Sequence, residues 1–106
     1  GRDAQATTAG AIAIGGDGAD ANTTGAQATA QHAVAIGPDA LATAQHTVAI
    51  GQGAQANQIS ATAFGRLARA TGTNTVAIGS LSKATASSTT AIGVAAEATG
   101  ANGTAI

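Results

Sequence analysis

His32 and His46 are the two side chains of this sequence best suited to bind a metal ion. If the chain repeats at the spacing that separates them, their imidazole rings could stack and share a cation. A zinc site has three or four protein ligands, however, and no third ligand recurs near this pair. Ser60 and Asn74 occupy the same position later in the pattern. We therefore interpret both histidines as polar turn residues and predict no metal site.

Residues 15–20 read Gly-Gly-Asp-Gly-Ala-Asp, which matches the start of a calcium-binding nonapeptide repeat. That repeat binds calcium between tandem copies, because carboxylates from successive turns must together supply the oxygen ligands. Only one copy is present, and Asn22 stands where the repeat has a large apolar residue. We therefore interpret this segment as a Gly- and Asp-rich turn.

A catalytic set of side chains is missing from the sequence. The chain has no cysteine and only two histidines, so a nucleophile paired with a base is difficult to assemble. Its carboxylates do not recur at one position of the pattern; they are Asp3, Asp17, Asp20, Asp39 and Glu97. The sequence predicts a protein that is not an enzyme and that uses no cofactor.

The composition argues against a chain that is stable as a monomer, against nucleic-acid binding and against a membrane-spanning helix. Charged residues make up 8% of the chain with a formal net charge of −1, which leaves no basic surface for nucleic acid. No apolar run is long enough to span a membrane as a helix. Hydrophobic residues reach 44%, but most are alanine and Phe64 is the single aromatic residue. Because alanine buries little area, we expect burial against another chain to supply part of the stability.

A repeat with a period of fourteen organises the whole chain. Segments of the form Val-Ala-Ile-Gly recur at this spacing, and their bulky third residues are Ile36, Ile50, Phe64, Ile78, Ile92 and Ile106. The step from Ile14 to Ile36 is longer than one period by eight residues, which interrupt the repeat near residues 15–22. We expect a bulge or an extra loop there, within a single domain that covers residues 1–106.

Each period contains two short stretches in which small and larger residues alternate, which is the pattern of β-strands. A helix fits poorly, because Gly, Asn, Ser and Thr would break it in every period. Two strands and two tight turns in each period make one coil of a parallel β-solenoid, so the predicted fold class is all-β.

The size of the side chains predicts which positions face inwards. A coil this short is so flat that only small side chains fit between its two sheets, and the columns of Ala and Thr meet that requirement. The bulky residues must then point outwards and form an apolar stripe, which we expect to be buried against identical chains. The predicted interface comprises Ile14, Val34, Ile36, Val48, Ile50, Phe64, Val76, Ile78 and Ile92.

The repeat resembles the YadA-like head of trimeric autotransporter adhesins. The closest copy of that family's head motif is the segment Asn74-Thr75-Val76-Ala77-Ile78-Gly79-Ser80. The resemblance covers essentially the whole chain and implies a left-handed parallel β-roll that assembles as a homotrimer. It also implies display on the outer membrane of a Gram-negative bacterium, through a stalk and a C-terminal barrel anchor that this sequence does not contain. The sequence begins in mid-repeat, so we expect it to be a fragment without direct membrane contact.

The resemblance implies a role in cell adhesion and virulence. In some family heads, repeats of this kind are linked to collagen binding, which makes residues 74–80 the candidate contact with matrix proteins. The expected partners are other copies of the chain and host matrix proteins such as collagen, fibronectin or laminin. The alternative is a passive spacer within a longer surface fibre, with binding located elsewhere.

Overall fold

The chain forms fourteen short strands, all of two or three residues, in a computed structural model that describes residues 3–17 and 24–106. The odd-numbered strands are β1 (Gln5–Ala6), β3 (Gln27–Ala28), β5 (Leu41–Ala42), β7 (Gln55–Ala56), β9 (Arg69–Ala70), β11 (Lys83–Ala84) and β13 (Glu97–Ala98). The even-numbered strands are β2 (Ile12–Ile14), β4 (Val34–Ile36), β6 (Val48–Ile50), β8 (Thr62–Phe64), β10 (Val76–Ile78), β12 (Thr90–Ile92) and β14 (Thr104–Ala105).

Odd and even strands form two separate parallel sheets of seven strands each. From β3 onwards every strand pairs with the equivalent strand one period later, as in Ile50↔Phe64 and Phe64↔Ile78. The chain therefore passes from one sheet to the other and back once in each coil. This confirms the predicted all-β fold, the parallel solenoid and the length of the coil.

Both sheets stay in register across the longer step from Ile14 to Ile36. Gln5 pairs with Gln27 and Ile14 with Ile36, so both ladders continue across the longer separation. The amide of Ala26 donates to the carbonyl of Gly15 at 3.1 Å, the bond that Ala40 makes to Gly37 at 3.2 Å in a regular coil. The eight extra residues therefore fall between Gly15 and Ala26. Residues 18–23, which include the end of the calcium-like motif, lie outside the described residues.

The interior between the two sheets is built almost entirely of alanine. Among residues 3–17 and 24–106, seventeen alanines are buried, sixteen of them with no exposed surface, including Ala49, Ala56 and Ala70. The largest fully buried side chains are Thr47, Thr75 and Thr89. No side chain larger than threonine is therefore fully buried in the part of the chain that the structure describes. The prediction that the Ala and Thr columns face inwards is confirmed.

The buried hydroxyls are satisfied by the turn that precedes each of them. Thr75 Oγ1 donates to the carbonyl of Gly72 at 2.7 Å, and Thr47 and Thr89 make the equivalent bond to the residue three positions earlier. A buried hydroxyl without a partner would cost about 1–3 kcal/mol. Because these bonds satisfy the hydroxyl, threonine can replace alanine at interior positions without leaving a buried polar group unpaired.

Besides the glycine that follows each even strand up to β12, two corner residues with a positive φ close every regular coil. One corner carries His32, His46, Ser60, Asn74, Ser88 and Asn102, all with φ between 57° and 61°. Asn and His are among the residues that adopt this conformation most readily. The prediction that His32 and His46 are polar turn residues is confirmed. The opposite corner uses Asp39, Gly53, Leu67, Leu81 and Ala95, where leucine costs about 1–2 kcal/mol relative to glycine.

We expect Gly79→Ala to destabilise the fold more than Gly93→Ala. Gly79 has a φ of 126° and Gly93 a φ of 127°, so both substitutions introduce the same backbone strain. A Cβ on Gly79 would lie 2.5 Å from the carbonyl oxygen of Gly93, whereas a Cβ on Gly93 has no heavy atom closer than 3.9 Å. Thermal melts should show the smaller loss for Gly93→Ala and almost none for Gly100→Ala, which meets no atom within 4 Å. Equal melting temperatures for the first two variants would mean that the coils are not stacked this closely.

Candidate functional site

The outer face of the even-strand sheet carries an uninterrupted apolar stripe. Neighbouring coils place their bulky residues in register, so Ile78 lies between Phe64 and Ile92. Ile14 is 54% exposed and Phe64 51% exposed in the single chain. The apolar stripe comprises Ile12, Ile14, Val34, Ile36, Val48, Ile50, Phe64, Val76, Ile78 and Ile92.

All residues predicted for the interface lie in this stripe, and the structure adds Ile12. Ile12 precedes Ile14 by two residues and pairs with Val34, so it faces the same way. The repeat spacing already contained that signal, because Ile12 occupies the column of Val34 and Val48. That the stripe is an interface in the assembly stays a prediction.

The outer face of the odd-strand sheet is polar. One column of this face contains Gln5, Gln27, Leu41, Gln55, Arg69, Lys83 and Glu97. The columns on the two outer faces are separated by the alanine interior, so the polar side chains point away from the apolar stripe. The chain therefore has one face suited to burial and one suited to remain in solvent.

The two histidines stack at the corner that they share. Their ring centroids are 5.1 Å apart with an interplanar angle of 31°, and both side chains are exposed. The preceding residues also pair, with Gln45 Nε2 donating to Gln31 Oε1 at 2.9 Å. Among residues 3–17 and 24–106, no group of three or more His, Asp or Glu side chains could hold a metal ion.

The described surface offers no enclosed site for a small molecule. It contains no pocket, which is consistent with two flat sheets that have no room between them. The carboxylates Asp3, Asp39 and Glu97 belong to different coils. None of the described segments forms an apolar helix of membrane-crossing length. Recognition by the described part of the molecule must therefore use its outer surfaces.

The candidate matrix contact at residues 74–80 is divided among three environments. Thr75 and Ala77 are buried inside the roll, and Val76 and Ile78 belong to the apolar stripe. Asn74 is exposed at one corner, and Ser80 is half-buried beyond the other end of the strand. Outside the stripe and the interior, a ligand can reach these residues only at Asn74 and near Ser80.

The repeat of this chain also matches the model of a known family. The chain matches the family described as YadA head domain repeat (2 copies) over residues 1–17, 24–40, 28–54, 42–68, 56–82, 70–93 and 84–106. The chain belongs to the YadA head family. It is a YadA-like head domain of a trimeric autotransporter adhesin, a class of outer-membrane surface proteins that are generally not enzymes. A comparison with curated proteins found no match.

One feature of this YadA-like head was not predicted from the sequence. Leu67 and Leu81 occupy left-handed corners at φ of 59° and 63°. The signal was present in the repeat, because Asp39 and Gly53 stand at the equivalent positions of earlier coils and both residue types favour turns. Leucine does not favour the left-handed conformation, so the stability of the turn does not explain why leucine stands at these two positions.

Proposed function

We propose that this YadA-like head is a non-catalytic adhesive domain that folds as a left-handed homotrimeric β-roll. It attaches to host cells or to extracellular matrix from the outer membrane of a Gram-negative bacterium. The observation that carries the proposal is the division of the outer surface into an apolar face and a polar face in a chain that matches the YadA head repeat over residues 1–17 and 24–106.

The apolar face supports the assembly. Burial of apolar surface contributes about 25 cal/mol per Å², and the alanine interior offers little of it. In a trimer with closed symmetry the three stripes, which include Ile36, Ile50 and Phe64, meet around a common axis. Each chain then completes its hydrophobic core with side chains from the other two.

The polar face supports the adhesive role. With the stripes turned towards the axis, the three odd-strand sheets form the outside of the head. The same surface is then presented three times, so weak individual contacts with a repetitive matrix protein add up to a higher overall avidity. Such recognition needs no pocket, which agrees with the flat described surface.

We expect the assembled head to bind at least one of immobilised collagen, fibronectin and laminin. Within residues 74–80, Asn74→Gly combined with Ser80→Ala should weaken matrix binding several-fold, since these are the positions a ligand can reach. Glycine keeps the left-handed corner, as Gly10 does in the same column. Asn102→Gly, two coils further along that column, is the matched control and should retain binding.

Surface plasmon resonance of the wild type and the variants measures this directly. Unchanged binding by the Asn74 and Ser80 variant would place the matrix contact elsewhere on the head. If the wild-type head binds none of the three matrix proteins while the intact adhesin still attaches to cells, the head is a passive spacer.

A further inference from the structure

Positive charge is concentrated at one corner of the molecule. Of the four basic residues in the chain, Arg66, Arg69 and Lys83 lie within two successive coils. The left-handed residues Leu67 and Leu81 lie at the same corner, one coil apart. We call these five residues the basic corner.

Two of the charges are direct neighbours. Arg69 pairs with Lys83 in the parallel ladder, so both side chains leave the odd-strand sheet on the same face. Like charges at paired positions repel each other. Glu97 follows Lys83 in the same column, but Arg69 has Gln55 on its other side. The arrangement favours a bound anion that lies across both cations.

The leucines stand at corners that other coils close with Asp39, Gly53 and Ala95. The backbone amide of Leu81 donates to the carbonyl of Arg66 at 2.9 Å, which fixes the two coils against each other independently of the side chain. Leu67 is half-buried and Leu81 is 44% exposed, so each side chain leaves part of its apolar surface uncovered by the chain. Backbone strain that the turn does not require is typical of positions kept for function.

We propose that the basic corner binds an acidic polypeptide segment that also carries apolar side chains. Carboxylates of the segment contact Arg66, Arg69 and Lys83, and its apolar side chains pack on Leu67 and Leu81. This inference rests on the proposed adhesive function and names the ligand chemistry of one contact. A sulfated glycan would satisfy the cations but would leave the leucines without apolar partners, so the polypeptide is the better match.

The corner stays accessible in the proposed assembly. Arg69 and Lys83 project from the odd-strand sheet, on the opposite side of the alanine interior from the apolar stripe. Three identical corners would surround the trimer, so a ligand with several acidic segments could engage more than one of them.

The affinity of the full chain for synthetic peptides tests the proposal. A fluorescent peptide of repeating Glu-Leu-Ser should bind, and the binding should weaken as salt is added. Peptides of repeating Glu-Ser-Ser and Lys-Leu-Ser should bind much more weakly, because each lacks one of the two required chemistries. Equal binding of all three peptides would overturn the proposal.

Substitutions in the basic corner measure separately how much the charges and the leucines contribute to peptide affinity. Arg69→Gln with Lys83→Gln should reduce affinity about tenfold at low salt, whereas Glu97→Gln should not reduce it. Leu67→Asn with Leu81→Asn should reduce affinity about fivefold, while asparagine keeps the left-handed corner. Ala95→Asn, in the same corner column, should raise the melting temperature without loss of affinity.

A purely structural role for the leucines would leave affinity unchanged in the asparagine variants, and that result would overturn the proposal. So would heparin binding that depends on Arg69 and Lys83 but not on the leucines, since it would indicate a glycan. Parallel assays on collagen, fibronectin and laminin separate this inference from the adhesive function. If the wild type binds matrix and the corner variants bind it equally well, only the basic corner is wrong; if the wild type binds the peptide but no matrix, only the adhesive function is wrong.

Discussion

Ile50→Asp should convert the head from a trimer into separate, largely unfolded chains. Ile50 lies mid-way along the apolar stripe, between Ile36 and Phe64 in the ladder. In the proposed trimer, the substitution places three carboxylates together near a dry axis. An uncompensated buried charge costs about 3–5 kcal/mol, and the burial of the isoleucine is lost as well. The expected loss is larger than the stability of most small domains once it is counted in all three chains.

Light scattering and thermal melts of the variant and of a matched control measure this effect. Gln55→Asp introduces the same charge on the polar outer face of the neighbouring strand, and should retain the trimeric mass and nearly the wild-type melting temperature. A wild type that is monomeric in solution would contradict the proposed assembly. If Ile50→Asp keeps both the trimeric mass and the melting temperature, the apolar stripe is not the interface.

Ala56→Leu should destabilise the roll more than Gln55→Leu or Arg69→Leu, although the latter two add exposed apolar surface. Ala56 has no exposed surface and pairs with Ala42 and Ala70 in the interior. The facing sheet leaves no room for a larger side chain, and overpacking costs about 1–3 kcal/mol per chain. The coils stacked on either side also prevent the backbone from moving away, because each hydrogen-bonds to the next.

Thermal unfolding followed by circular dichroism compares the three variants in one experiment. Leucine at position 55 or 69 faces solvent, where a substitution usually changes stability by about 0.5 kcal/mol or less. A loss in Gln55→Leu as large as that in Ala56→Leu would mean that the alternation of faces in β7 (Gln55–Ala56) is incorrect.

The register of the sheets could be predicted because the sequence repeats it in every coil. Each bulky residue from Ile36 to Ile92 recurs at the same spacing, and a parallel solenoid is the structure in which residues one period apart become neighbours. Which positions face the interior could be predicted from side-chain size alone, because only small side chains such as Ala and Thr fit between two sheets this close. The apolar stripe of the candidate site was predicted by the same argument, apart from Ile12.

The sequence by itself therefore determined the coil length, the pairing of the strands and the face that each column presents. The tertiary structure decided what happens at the corners. Leucine disfavours the left-handed conformation, and Leu67 and Leu81 adopt it because closing each coil requires a positive φ at that point whatever residue is present. The same closure places Leu81 against Arg66, whose carbonyl accepts a hydrogen bond from the Leu81 amide. A conformation imposed by the closure of the coil against the residue's own preference cannot be predicted from that residue alone.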